Sequence, residues 1–150
     1  MVEGEPLELG GLAYKVALTR FLNANDVEDS EYLEGLPVTP PKGKAYLGVF
    51  MEIDNETDQP KRVPQADDME VVDTSGQTAE PTELESIFSL PFGATIPPDD
   101  RVPDVESAAA NGPAQGSLIL FVIDRSVNEN RPLELDITNG GKKGSIELDL

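Results

Sequence analysis

The chain has 150 residues, the size of one domain and enough to bury a core without disulfide or metal staples. It carries 29 acidic residues against 11 basic ones, a formal net charge of −18, which repels phosphate backbones and anionic lipid and disfavours nucleic-acid binding. Histidine and cysteine are both absent, which removes Ser-His-Asp and Cys-His nucleophiles, imidazole and thiolate metal sites, and disulfides.

The acidic balance suits solubility, cationic partners or divalent ions, and a high-salt habitat would produce it as well. No run approaches the roughly 18 apolar residues of a membrane span, so no transmembrane segment is expected. Thirteen Gly, thirteen Pro and short apolar runs point to an all-β domain rather than a helical bundle.

Residues 1–11 (MVEGEPLELGG) read as a loose acidic lead-in or a short edge strand, and residues 12–150 as one domain. The start has neither the basic nor the apolar region of a signal peptide. It is read either as a cytoplasmic N-terminus or as a mature one whose signal segment has been removed. From Leu12 to Arg20, Tyr14, Val16 and Leu18 alternate with Lys15, Ala17 and Thr19, the pattern of a half-buried strand. Residues 23–43 form a long acidic connection in which Tyr32, Leu33 and Leu36 are packing anchors.

The stretch 44–57 (KAYLGVFMEIDNET) is the centre of the chain. Leu47, Val49, Met51 and Ile53 line one face of an extended strand. Tyr46, Gly48, Phe50 and Glu52 make the other face partly apolar, as in a central strand covered on both sides. Met69, Val71 and Val72 predict a short strand ending at the Asp73-Thr74-Ser75-Gly76 turn. Residues 82–88 fit a strand or a helical turn equally. Residues 89–115 are punctuated by five prolines, and 104–110 within them fit one or two helical turns.

Three strands close the chain. Residues 118–123 (LILFVI) are apolar throughout and need cover on both faces, with Phe121 expected to meet Val49 across two sheets. Leu133, Leu135 and Ile137, then Ile146, Leu148 and Leu150, alternate with polar residues on either side of Asn139-Gly140-Gly141, the pattern of a hairpin. The total of about seven or eight strands predicts an immunoglobulin-like two-sheet antiparallel β-sandwich.

Particular residues sharpen this. A strand ends in Asn55, a short strand turns at Asp73 and Gly76, Asn111-Gly112-Pro113 follows, and Gly116 precedes the apolar strand carrying Phe121. The arrangement resembles the bacterial extracytoplasmic immunoglobulin-like domains of unknown function found in lipoproteins, which are akin to the mycobacterial immunoprotective extracellular antigen. The resemblance spans residues 12–150. It implies an exported sandwich in the cell envelope or outside it, usually lipid-anchored, without known catalysis or cofactor. It gives Asn55, Gly76, Gly116 and Phe121 structural roles.

Four sets of residues are candidates for chemistry or recognition. Asn23, Asn25, Asp29, Glu31 and Glu34 fall at calcium-loop spacing, although Val27 occupies a ligand position and Glu28 stands where the loop needs glycine. A second acidic group comprises Asp99, Asp100, Asp104 and Glu106, with Asp67 and Asp68 as spatial partners. Asn55-Glu56-Thr57 is formally a glycosylation acceptor but reads as turn chemistry. Tyr32 and Leu33, with Phe92 and Ile96, are apolar residues set among acids in the two long connections. They are the expected anchors for an unidentified protein or envelope component with a basic, apolar surface. The leading reading is a non-catalytic extracytoplasmic interaction module, with a calcium- or cation-binding accessory domain as the alternative. Without Trp, and with 5% aromatics, a sugar-cleaving cleft has no stacking platform.

Overall fold

A computed structural model describes residues Met1–Leu150. In chain order it contains β1 (Leu7–Leu9), β2 (Leu12–Leu22), helix α1 (Val27–Tyr32), β3 (Lys44–Asn55), β4 (Lys61–Arg62), β5 (Met69–Val72) and β6 (Thr78–Ala79). Then follow β7 (Thr95–Ile96), β8 (Arg101–Val102), β9 (Ser117–Asp124), β10 (Leu133–Asn139) and β11 (Lys142–Leu148). Four of these eleven strands, β4, β6, β7 and β8, have only two residues, which leaves seven longer ones. The fold is an immunoglobulin-like antiparallel sandwich. One sheet has the order β1-β2-β3-β9, with β8 beside the far end of β3, and the other has the order β11-β10-β5-β6.

β3 holds the first sheet together because both of its faces are apolar. Leu47, Val49, Met51 and Ile53 are fully buried in the main core, where they meet Met69 and Val71 of β5, Leu133, Leu135 and Ile137 of β10, and Ile146 and Leu148 of β11. Tyr46 and Phe50 project the other way, into a second cluster with Leu22, Leu118 and Leu120. β9 is likewise divided, with Ile119, Phe121 and Ile123 inward and Leu118 and Leu120 outward.

Two expectations about facing are corrected. Phe121 and Val49 do not meet across the sandwich. β3 and β9 are neighbours, with Leu47 opposite Phe121 and Val49 opposite Ile119, so both side chains leave the same face of one sheet. Alternation shows which residues share a face, and says nothing about which strands share a sheet. In β2, a bulge between Val16 and Leu18 shifts the register. Tyr14 and Val16 therefore enter the main core, while Leu18 and Leu22 join the outer cluster. One extra residue swaps every later side chain to the opposite face.

The Gly140-Gly141 turn has φ values of 62° and 81°, and Gly10-Gly11 repeats it at 62° and 87°. Two residues with φ > 0 make the turn whose twist matches a hairpin. The Asn139 amide donates to Leu9 O at 3.3 Å and to the Tyr14 hydroxyl at 3.0 Å, which ties the two turns together. Within residues 1–11, Leu7–Leu9 pair antiparallel with β2 as a short edge strand. Val2 bridges Glu147, and the Glu3 carboxylate accepts from the Thr19 hydroxyl at 2.5 Å and from Asp149 N at 3.1 Å.

The long connections cover the outer face of the first sheet. Residues 82–90 form neither a regular strand nor a helix. They run beside β9, with Thr82 N donating to Leu120 O at 2.7 Å and Leu90 N to Leu118 O at 2.9 Å. Residues 104–110 fold as successive turns rather than helix. Asp104 accepts from Glu106 N at 3.0 Å, and the Asn111 amide closes the segment on the carbonyls of Val105 and Ser107 at 3.0 and 2.9 Å. Gly116 then passes so close to β3 that a Cβ would lie 3.0 Å from Met51 N, and its φ of 113° also requires glycine.

Candidate functional site

The cover begins with α1. Asp26 caps it by accepting from Glu28 N at 2.9 Å and Asp29 N at 3.3 Å, and Glu28 and Asp29 add negative charge to its first turn. The calcium-loop spacing seen in 23–34 is thus occupied by a capped helix, and its candidate ligands do not converge. Asp29 is 3% exposed. It turns inward to pair with Arg20 at 2.6 Å and to accept from Asn23 N at 2.9 Å. Asn23 accepts from Asn25 N at 2.9 Å, while Glu31 and Glu34 stand in solvent.

Three of the four expected partner anchors are buried, where the anchor reading required exposed side chains. Tyr32, Leu33 and Ile96 are 0%, 2% and 1% exposed, and Phe92 is half-buried against the main core. The Tyr32 ring lies edge-on to Phe50 and Phe88, with centroids 5.0 and 4.7 Å away. Its hydroxyl accepts from Ala114 N at 2.9 Å and lies 3.3 Å from Ala114 O. The outer apolar face of β2, β3 and β9 draws Tyr32 and Leu33 inward, while Ile96 and Phe92 are drawn to the main core between the sheets.

A second feature lies at the end of β3. Asp54, Asn55, Glu56, Asp99, Asp100, Arg101, Asp104 and Val105 line an open cleft of about 620 Å³. Three members of the second acidic set meet here, while Glu106 is not in the wall. Asp67 and Asp68 lie on a separate 3₁₀ turn, where Asp68 accepts from Gln65 N at 3.0 Å. Arg101 is engaged with Glu52 at 2.8 Å and Asp54 at 3.4 Å. Asn55 is 1% exposed. Its amide donates to Gln59 O at 2.8 Å and Ile96 O at 3.0 Å, and its oxygen accepts from Thr57 N at 3.0 Å and the Thr57 hydroxyl at 2.7 Å. A side chain so enclosed is a structural knot and not a glycan acceptor.

Other apolar residues do reach the surface of the cover. Val27 on α1, Ile87 in 82–90 and Val105 in 104–110 are 85%, 75% and 65% exposed. Their segments contain the exposed acids Asp26, Glu28, Glu31, Glu83, Glu85, Asp104 and Glu106. No Lys or Arg occurs anywhere in residues 21–41, 63–100 or 102–124. The absence of basic residues is visible in the sequence. Nothing in the sequence separates Val27 and Ile87, which face out, from Tyr32 and Phe88 beside them.

No family model matches the chain, and neither does any curated protein. Solved structures do. The secreted protein MPT63 of Mycobacterium tuberculosis matches with a TM-score of 0.59 at 15% identity, over 98% of this chain and 95% of that one. An uncharacterised β-sandwich protein of Clostridium difficile matches with a TM-score of 0.55 at 16% identity, over 97% and 91%. The YcdA protein of Bacillus subtilis, described as a candidate lipoprotein, matches with a TM-score of 0.58 at 14% identity, over 99% of this chain and 39% of its own. The likeness is one of fold. The chain shares its sandwich with bacterial proteins that are secreted or uncharacterised, in agreement with the family resemblance read from the sequence.

Proposed function

We propose that this protein is a non-catalytic interaction module working outside the cytoplasm, in the cell envelope or beyond it. The observation that carries the reading is the cover. Six large apolar side chains stand in water, and four of them, Val27, Val38, Ile87 and Val105, lie on the segments that connect the strands. Apolar side chains exposed together and rimmed by charge mark a contact surface. Sandwich strands are held by packing, so recognition falls to the segments they support. The fold likeness to a secreted mycobacterial protein and a candidate lipoprotein supports the location.

The test is topological. Protein produced from its own gene in its own host should be recovered outside the cytoplasm and be cleaved by protease added to intact cells. Recovery in the cytosol alone, protected until lysis, would overturn the reading. A cation-binding accessory role is the second reading, and neither 23–34 nor the β3-end cleft groups three carboxylates closely enough to hold an ion. Its signature would be thermal stabilisation specific to calcium.

A further inference from the structure

We propose that the cover of the first sheet docks a cationic polypeptide that carries apolar side chains between its basic ones. The apolar contacts are Val27, Ile87 and Val105, and the carboxylates beside them supply the charge. This deepens the interaction reading and rests on it.

The face is built before any partner arrives. Tyr32 joins α1 to Phe88 by ring contact at 4.7 Å and to Ala114 by its hydroxyl, and the Asn111 amide holds the Val105 carbonyl at 3.0 Å. The segments bearing the three exposed side chains are therefore fastened to one another and to Phe50 beneath them. A partner then has little chain to order on binding, which favours affinity.

Charge selects the occupant. A second copy of this chain would set carboxylate against carboxylate, and a nucleic acid or an anionic bilayer would fare no better. A neutral apolar partner would cover Glu28, Glu85 and Glu106 without giving them counter-charges, and burying an unpaired charge is costly. A basic polypeptide with interspersed apolar residues answers both features of the face. The carboxylates would also speed its encounter in a salt-dependent way. The cleft at the end of β3 shares Asp104 and Val105 with the cover, and its one cation, Arg101, is already paired with Glu52 and Asp54.

The probe is a synthetic amphipathic peptide of leucine and lysine, with a leucine–glutamate peptide as control. Binding is followed by fluorescence anisotropy at low and physiological salt. Wild-type protein should bind the lysine peptide, more weakly as salt rises, and should ignore the glutamate peptide. The combined change Val27→Ser, Ile87→Ser and Val105→Ser leaves charge untouched at solvent-exposed positions and should weaken binding about tenfold. Glu83→Gln, Glu85→Gln and Glu106→Gln on the cover should weaken it well beyond Glu70→Gln, Glu134→Gln and Glu147→Gln on the second sheet, which remove as much charge. Equal loss from the two glutamate sets, or no loss from the serine set, would reduce the effect to general electrostatics and overturn the proposal. Failure of the lysine peptide to bind would do the same. Neither result would bear on whether the protein lies outside the cytoplasm, which the protease experiment decides separately.

Discussion

Tyr32 shows most clearly how a residue's role depends on partners distant in sequence. Its hydroxyl satisfies the backbone of Ala114, 82 residues away, inside the outer cluster. Tyr32→Phe leaves the Ala114 N–H buried without an acceptor, a loss of about 1–3 kcal/mol readable by urea denaturation. A cost below about 0.5 kcal/mol would mean that the hydroxyl contributes nothing to the cover. Titrating residues set the pH limits. Bonds from the Ser75 hydroxyl and then from the Gln77 and Ser75 amides hold Asp73 below its ordinary value of 3.8, and Ser126 does the same for Asp124. Their contribution is complete above the unfolded value and is lost as pH falls through the lowered folded ones. Burial pushes Tyr14 up to about 12 and raises Tyr32 and Tyr46 as well. The stability of their neutral forms is complete below the ordinary value of 10 and lost as pH rises through the raised ones. With no histidine to titrate between them, unfolding free energy should be flat from about pH 5 to 9 and fall on both sides. A distinct step near neutrality, seen in denaturant midpoints, would contradict this.

At the scale of elements, legibility followed periodicity. β3 could be read almost to the residue, because Leu47, Val49, Met51 and Ile53 alternate without interruption and Asp54-Asn55 ends the run. β2 was legible only as far as its bulge, since the extra residue at Ala17 changes facing without changing composition. α1 was hidden because Asp29 and Glu31 within it also fall at calcium-loop spacing, and six residues are too few for helical periodicity to show. The partner anchors were misread for a related reason. Tyr32 and Leu33 look like exposed hydrophobes in an acidic loop until Leu22, Tyr46, Phe50, Leu118 and Leu120 are seen to form one uncovered face. β9 carries the clearest energetic consequence. Phe121 is fully buried in the main core, and Phe121→Ala should cost about 3–5 kcal/mol in denaturant unfolding. A cost under about 1 kcal/mol would place that side chain outside the core.

The whole molecule is a sandwich with one covered and one bare outer face, and its charge is unevenly spread. All 11 basic residues lie outside residues 21–41, 63–100 and 102–124, and Arg20 reaches the cover only to pair with Asp29. A net charge of −18 strains the compact state by self-repulsion, so screening should stabilise it. Raising sodium chloride should increase the melting temperature. Calcium and magnesium at equal millimolar concentration should raise it alike, because a specific site well above its dissociation constant would add about 3 kcal/mol for one ion alone. A calcium-specific rise, abolished by changing Asp99 and Asp104 to asparagine, would move the centre of function to the cleft.

The most direct measurement maps the bound lysine peptide onto isotope-labelled protein by amide chemical shifts. The perturbed residues should gather in 26–34, 83–88 and 104–113, with β5, β10 and β11 unmoved. Perturbations scattered over carboxylates on both sheets, or centred on β10 and β11, would contradict the assignment of recognition to the cover.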